Sequence, residues 1–373
     1  MMDLTKSPLP VAMLSTAFVG ASLFMMLPGG ILADRYDRRK VAIVSQLVQT
    51  VAALAMAVLS FTGHVTQAAL VGGVALLGLG MALGAPAWAA LVPQLVPREL
   101  VAEAIALNAV AFNLARAVGP AIGGLVLARF GATASFVLNA VSFCVVILAL
   151  TMYRNAEVDV PERHSVSPMR SAFVEPWRVV VQDADIRSTF IAMFGFTLGA
   201  GIFYALTPAF GKTTLGATPF AYGVMIGAMG GGAVLGATIL KRLRSRMHPR
   251  ILIAGTMSVF ALFVAVVARV TSVPAAMALL VPAGMGWLGS FSSLAALVQI
   301  WAPDRVRARV VALYQMVHLG TWAIAATAGG LLADHFGVRA AMTTGALVCG
   351  CAALSTWKIG LPQSFRGAPM AAR

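Results

Sequence analysis

Charged residues are scarce in this chain of 373 residues. Asp, Glu, Lys and Arg together make up 11% of it, whereas a soluble globular domain has about 25%. Apolar residues reach 60%, and the mean hydropathy is +0.88. So few charges cannot cover the surface of a water-soluble protein of this length. The composition therefore excludes a soluble globule and indicates a protein that crosses the membrane several times.

Acidic residues and cysteines are scarcer still. The 13 Asp and Glu residues all fall in loops or near the predicted membrane faces, so no carboxylate is expected in mid-membrane. Cys144, Cys349 and Cys351 lie in apolar runs without metal or redox spacing, and we expect them to be buried small hydrophobic residues. No predicted span carries a nucleophile with a base, and no phosphate-binding loop or metal-ligand cluster occurs. The sequence therefore predicts neither an enzyme nor a cofactor or metal.

The basic residues are unevenly placed. The chain has 27 Lys and Arg residues and a net charge of +14, which raises the possibility of a nucleic-acid partner. However, 21 of the 27 fall in predicted cytoplasmic loops and the tail, five fall in outer loops, and Arg116 lies within a span. Short basic loops are retained on the cytoplasmic side of a membrane. The distribution of the basic residues therefore indicates which loops are cytoplasmic, and no nucleic-acid partner is expected.

Eleven apolar segments are long enough to cross about 30 Å of hydrocarbon. A polar stretch after the fifth segment is too charged to enter lipid. We expect an all-α membrane protein with an N-terminal helical bundle (1–153), a cytoplasmic linker (154–186), a C-terminal helical bundle (187–360) and a cytoplasmic tail (361–373). The segments are 10–33, 41–61, 67–94, 101–127, 131–153, 187–211, 219–240, 250–270, 272–301, 308–333 and 337–359.

The two halves of the chain repeat each other. At an offset of 206 residues, glycines of the first half fall on glycines of the second, as in transporters whose substrate site lies between structural repeats. Continued backwards, the offset maps Gly30 to Gly236. It leaves 187–211 without a mate, which predicts eleven of twelve helices, with the first absent from this sequence. The matched pairs include Gly78/Gly284, Gly80/Gly286, Gly123/Gly329, Gly124/Gly330 and Gly131/Gly337.

One predicted span contains an arginine at its middle. A charge at that depth costs about 2.5–3.5 kcal/mol on insertion scales, so Arg116 should face a cavity or a partner. Asn108 and Phe112 share its helix face, and the repeat mates of the three share a face on another span. We predict that these side chains line a substrate cavity, although hydrogen bonds that only hold the bundle together are the alternative. The predicted lining is Asn108, Phe112, Asn113, Arg116, Tyr314, His318 and Trp322.

A charge-dense hairpin occupies residues 30–40, between the first two segments. It resembles the signature loop of the major facilitator superfamily, G-x-x-x-D-R-x-G-R-[RK], although Asp37 stands where that family usually has Gly. The resemblance implies the two-bundle transporter fold of that superfamily, with the hairpin gating the cytoplasmic side. A generic basic loop is the alternative. The matching residues are Gly30, Asp34, Arg35, Arg38 and Arg39.

A second motif narrows the resemblance. Gly119, Pro120, Gly123 and Gly124 resemble the core of the exporter-type helix motif, in which proline bends the helix and glycines permit close packing. With the segments 85–88 and 92–97, they make the chain similar to the enterobactin-exporter-like and macrolide-efflux-like branch, the transmembrane secretion effectors.

That resemblance implies a secondary active exporter of siderophores, drugs or similar amphipathic small molecules. It would work by alternating access, with protons as the expected coupling ion, as a monomer in a bacterial-type inner membrane. Because the number of spans is odd, the C-terminus should be cytoplasmic. His318 is a candidate proton carrier, since histidine titrates near neutral pH. The alternatives are an importer of the same fold and a non-transporting sensor or inactive remnant.

Overall fold

The regular structure of the described residues is helical throughout. A computed structural model describes residues 8–91, 96, 100–152, 169–303, 306–362 and 364–365. Its helices are α1 (Pro8–Arg35), α2 (Arg38–Phe61), α3 (Gln67–Leu91), α4 (Val101–Met152), α5 (Met169–Gln182), α6 (Ala184–Ala209), α7 (Pro219–Arg246), α8 (Pro249–Val267), α9 (Val273–Trp301), α10 (Arg307–Phe336) and α11 (Val338–Ile359). A π-helical turn at Phe210–Thr214 extends α6.

The expected number of membrane spans is confirmed. In the described residues, ten helices are long and apolar enough to cross a bilayer. One of these is α4, which Gly131 divides, because its φ of 78° and ψ of −178° interrupt the helical path. We call the part before Gly131 α4a and the part after it α4b, and counting both gives eleven segments. The short helix α5 lies in the stretch that the sequence marks as too polar to cross lipid.

Helix packing follows the internal repeat. In the first half, α1 and α2 pack on α3, and α2 packs on α4. In the second half, α7 and α8 pack on α9, and α8 packs on α11. Gly131 and its mate Gly337 both have positive φ, 78° and 83°, at equivalent helix junctions. The repeated sequence therefore folds into repeated structure.

The residue offset between the two halves is not the same before α3 as after it. Asp37 caps α2 by accepting a hydrogen bond from the amide two residues later (2.8 Å), and His248 caps α8 in the same way (3.2 Å). These two caps are 211 residues apart, because α2 has 24 residues and α8 has 19. The predicted pairing of Gly30 with Gly236 is therefore wrong, since it assumes an unchanged offset.

The most extensive contacts between the halves are made by two symmetry-related helix pairs, α1 with α10 and α4 with α7, and α1 also contacts α6. A Cβ at Gly124 would overlap the carbonyl oxygen of Pro219, and a Cβ at Gly330 would lie 2.8 Å from the Cβ of Ala12. Gly124 and Gly330 are repeat mates, so the two contacts are equivalent. We call these two contacts the glycine seam. It lies toward the end of the bundle that carries Gly131, opposite the end that carries the α1–α2 hairpin, which we call the hairpin end.

The halves differ in how completely they are packed. The span formed by α6 packs on α10 and α11, and its most apolar part is 72% buried. Among the described helices none packs on α4 in the equivalent way, and the most apolar part of the span from Val118 to Met152 is only 11% buried. The first half therefore exposes more apolar surface than the second.

The cysteines divide between two environments. Cys349 is buried as expected, but Cys144 and Cys351 are exposed on α4b and α11, so the prediction of burial is wrong for these two. The outer surface of a membrane helix is as apolar as its core, because lipid surrounds it. An apolar sequence context therefore does not distinguish the two.

We expect alanine at position 124 to destabilise the glycine seam. The new methyl group would meet the Pro219 backbone, which cannot move aside as a side chain does, and overpacking of this kind costs about 1–3 kcal/mol. Gly124→Ala should lower the melting temperature of the purified protein in detergent by several degrees. Gly123→Ala is the matched control, because a Cβ there meets no heavy atom within 4 Å. Equal melting temperatures for the two variants would contradict this account of the seam.

Candidate functional site

A cavity of about 940 Å³ lies between α4a of the first half and α6, α7, α9 and α10 of the second. Its size is that of a pocket for a drug-sized ligand. Pro120 and neighbouring Ala115 form its wall on α4a, and Tyr204 and Trp287 form part of the wall on α6 and α9. Gln299, near the end of α9, also lines it, so the cavity extends from the middle of the helices toward the hairpin end.

A closed circuit of five ring side chains stands beside the cavity, and we call it the aromatic circuit. Each ring contacts the next: Tyr204 and Trp287 (5.9 Å between centroids), Trp287 and Phe291 (5.4 Å), Phe291 and His318 (4.9 Å), His318 and Trp322 (5.9 Å), and Trp322 and Tyr204 (5.2 Å). The Trp287 and Phe291 rings are parallel within 5°. Three of the members, Tyr204, Trp287 and Phe291, line the cavity directly. The circuit therefore offers flat apolar surface to a ligand.

His318 and Trp322 complete the circuit behind the lining. The Nδ1 atom of His318 lies 2.9 Å from the Oγ1 atom of Thr197 on α6, a hydrogen bond that fixes the imidazole ring. Trp322 also borders a second space of about 280 Å³, which Leu14 and Phe18 of α1 help to line. The structure thus brings two of the predicted α10 residues into contact, and Trp322 lies at the boundary between the halves.

Tyr314, the third predicted residue on α10, lies elsewhere. Its side chain is 1% exposed, its ring packs edge-on against Phe190 at 5.4 Å, and it belongs to the core of the second half. It is not among the residues that line the cavity. Residues four apart on an α-helix are rotated by about 40° from each other, so Tyr314 and Trp322 differ by about 80°. That rotation is enough to turn Tyr314 away from the boundary between the halves.

The predicted residues on α4a are only partly described. Asn108 is exposed, whereas the side chains of Phe112, Asn113 and Arg116 lie outside the described residues. The backbone at all four positions is helical, and Ala115, next to Arg116, lines the cavity. A place for these four side chains in the cavity wall stays a prediction.

The exporter-type motif divides into two pairs. Pro120 and Gly124 face α7, where a Cβ on Gly223 would overlap the carbonyl oxygen of Pro120. A Cβ on Gly119 or on Gly123 would meet no heavy atom within 4 Å. Of the four motif residues, the pair at i and i+4 therefore makes the helix contact, and Pro120 also lines the cavity.

The hairpin motif contacts its own half of the chain. Arg39 donates hydrogen bonds to the carbonyl oxygens of Leu150 (2.5 Å) and Thr151 (2.6 Å), which are among the last carbonyls of α4b. A cation at the C-terminal end of a helix is favourable, because the carbonyls there lack helical partners. Arg35 is exposed and Arg38 is half-buried, and a Cβ on Gly30 would meet no heavy atom within 4 Å. The side chain of Asp34 lies outside the described residues.

Sequence reasoning assigned Arg244 to a loop, whereas the structure places it on the cavity wall. Its guanidinium donates hydrogen bonds to the hydroxyl oxygens of Ser292 (2.7 Å) and Ser293 (3.3 Å). The ring of Phe365 lies 5.6 Å from it on another side. In the sequence, two adjacent serines interrupt the apolar run of α9, and this interruption indicates that a polar side chain contacts them.

Comparisons with known proteins found relatives in sequence and a neighbour in structure. The chain is 28% identical over 348 residues to the enterobactin exporter EntS of Salmonella choleraesuis strain SC-B67, covering 89% of this chain and 80% of that one. It is 27% identical over 343 residues to EntS of Escherichia coli O1:K1 / APEC, covering 89% and 79%. A solved POT family transporter, in complex with a thioalcohol-conjugated peptide, has a TM-score of 0.75 at 12% identity and covers 94% of this chain and 88% of that one, which shows the fold.

The family described as transmembrane secretion effector matches residues 1–369. The match includes both halves of the repeat, the hairpin motif and every helix that borders the cavity. The chain therefore belongs to the transmembrane secretion effector family of major facilitator transporters.

Proposed function

We propose that this protein is a secondary active exporter that binds small amphipathic molecules in the 940 Å³ cavity and releases them across the membrane by alternating access. The observation that carries this proposal is the position of the cavity between repeated halves. The glycine seam brings the halves into contact toward one end, while the cavity extends toward the other. The relatives named as enterobactin exporters support a cargo of siderophore or drug type and the direction of transport.

The hairpin end is the cytoplasmic end in this proposal. The basic residues of the α1–α2 hairpin and of the α7–α8 turn lie there, together with Lys358 at the end of α11. Short basic segments stay in the cytoplasm, so the C-terminus is cytoplasmic too. The relatives are bacterial, which supports the inner membrane as the location.

Residues 1–153 and 187–360 are the two moving bundles in this mechanism, and 154–186 is the linker between them. Within the linker, Glu175 of α5 pairs with Arg309 of α10 at 2.7 Å, although both side chains are about one-third exposed. This contact would keep the linker against the second bundle during transport. A monomer suffices, because both bundles belong to one chain.

Alternating access requires the glycine seam to open. Contacts made by small residues bring helix backbones together without interlocking side chains, so one bundle can separate from the other as a unit. A proton gradient is the proposed energy source, by analogy with related transporters. His318 is the proposed titrating group, since it belongs to the aromatic circuit beside the cavity and is bonded to Thr197.

We expect the cavity to be reached from the cytoplasm in the resting protein. In a background without the native cysteines, Ser292→Cys should react with a membrane-impermeant maleimide in inside-out vesicles. Ser290→Cys should react at least tenfold more slowly, because Ser290 is 0% exposed, whereas Ser292 lines the cavity. Labelling of Ser292→Cys in intact cells but not in inside-out vesicles would reverse the proposed orientation.

We expect a covalent bond across the two bundles to stop transport. The hydroxyl oxygens of Thr16 on α1 and Thr327 on α10 are 2.9 Å apart, so a cysteine pair there can form a disulfide. Oxidised Thr16→Cys/Thr327→Cys protein should lose the uptake of fluorescent amphipathic dyes into energised inside-out vesicles, and a reductant should restore it. Such uptake corresponds to export from a cell.

A matched pair within one bundle provides the control for this experiment. Ser60 and Thr133, on α2 and α4b, place their hydroxyl oxygens 2.8 Å apart. The oxidised Ser60→Cys/Thr133→Cys protein should transport at nearly the unmodified rate, because that bond joins helices that move together. Full transport by the oxidised Thr16/Thr327 pair would refute alternating access by the two bundles. Absence of uptake by the unmodified protein would instead favour the sensor or remnant.

The hairpin motif provides a further expectation, derived from its sequence. Asp34→Asn should reduce vesicle uptake at least severalfold while leaving expression and membrane insertion unchanged, because the proposed gating role requires the negative charge. Asp37→Asn should transport normally, since asparagine caps a helix as well as aspartate does. Unreduced uptake by the Asp34→Asn protein would remove the hairpin from the gating mechanism.

A further inference from the structure

The charge that the described residues contribute to the cavity wall is positive. Among the described residues that line the cavity, Arg244 alone is charged, and the others are apolar side chains with a few hydroxyl and amide groups. Arg244 is half-buried on α7, within reach of a molecule that enters from the hairpin end. A half-buried cation on the wall of a cavity can bind a charge of opposite sign.

The described partners of Arg244 leave its charge uncompensated. Ser292 and Ser293 accept hydrogen bonds through neutral hydroxyl oxygens, and Phe365 presents the face of a neutral ring. In the described part of the chain, no carboxylate contacts this guanidinium. The serines fix its position without neutralising it. A bound anion would therefore compensate the charge of Arg244, since a charged group in a poorly solvated site is stabilised by a group of opposite charge.

The aromatic circuit and this cation share one cavity, whose wall includes Arg244, Trp287 and Phe291. Ser292, which holds Arg244, is adjacent in sequence to Phe291, and Phe291 stacks on Trp287 one turn away along α9. One stretch of α9 thus presents two parallel rings and, through its serine, a positioned guanidinium. Flat aromatic groups bind well to such rings, and a positive ligand here would be repelled by Arg244.

We propose that the cavity takes aromatic anions, with Arg244 as the residue that recognises the negative charge and the Trp287–Phe291 stack as the surface that holds the aromatic part. This proposal deepens the proposed function, because it assigns a charge to the cargo of the same cavity. It separates two kinds of amphipathic molecule that the family resemblance leaves open. Cationic drugs are disfavoured, and anionic aromatic compounds are favoured.

The test compares two dyes of similar shape and opposite charge. Fluorescein is an anion at mildly alkaline pH and rhodamine 123 is a cation, and both are built on the same three-ring system. Binding to the purified protein in nanodiscs, followed by dye fluorescence anisotropy, should be at least tenfold tighter for fluorescein. Arg244→Gln should weaken fluorescein binding at least tenfold and leave rhodamine 123 binding unchanged or tighter, whereas Arg244→Lys should retain part of the preference.

Arg242→Gln is the matched control. It removes one positive charge from the same basic stretch of α7, but Arg242 is exposed and is not among the cavity-lining residues. The Arg242→Gln protein should bind both dyes as the unmodified protein does. Size-exclusion chromatography and thermal unfolding of each variant show whether it is folded. Equal affinity of the unmodified protein for the two dyes, or an equal loss of both in Arg244→Gln, would overturn the proposal.

Binding and transport are measured separately, so the two proposals can fail separately. Preference for fluorescein without uptake into energised inside-out vesicles would retain the aromatic-anion site and reject the exporter. Uptake of both dyes at equal rates, with equal binding, would retain the exporter and reject the role of Arg244.

Discussion

The two halves of the molecule meet where helix backbones approach each other at the glycine seam. Gly124 and Gly330 are repeat-related points of close approach, and a side chain at either would force the helices apart. In lipid no hydrophobic effect drives helices together, so packing and hydrogen bonds must hold them. The spacing at the seam fixes how far the helices can diverge toward the hairpin end. The width of the cavity between α4a and α7 therefore depends on close contacts at the far end of the same helices.

The polar groups near the cavity show how a membrane protein keeps such groups stable. His318 bonds to Thr197, and Arg244 bonds to two serines, so each has a partner across a helix boundary. An unpaired polar group in an apolar interior costs roughly 1–3 kcal/mol by protein mutational data. The two serines accept hydrogen bonds from Arg244 but do not neutralise its charge, and that remaining charge is the basis of the proposed anion recognition.

Sequence analysis predicted well the features that depend on a periodic or repeated pattern of residues. Apolar length gave the spans, and the recurrence of Gly124 at Gly330 identified residues that make equivalent contacts. The errors arose where a side chain's direction or a loop's length decided the outcome. Tyr314 turned into the core because a helix rotates by about 100° at each residue. The hairpin register failed because α8 is five residues shorter than α2.

Arg244 was missed for a related reason. The apolar run of α7 ends near residue 240, but the helix continues to Arg246, so residues that composition assigns to a loop lie on the helix. Where α7 continues beyond its apolar run, its residues still lie on distinct faces of the helix, and one of these faces is turned toward the serines of α9. Charge counts by loop predict topology and say nothing about which of the charges turn inward.

The contrast between the two ends of the bundle bears on how the cycle can proceed. The glycine seam is made of close backbone contacts, which depend little on charge, whereas the hairpin end is rich in charge. Arg39 is already engaged with the carbonyls of Leu150 and Thr151 in its own bundle. In the proposed mechanism, closing the hairpin end must therefore use other charges of the hairpin. The two ends would then respond differently to ionic strength, because exposed charge pairs are screened by salt and packing contacts are not.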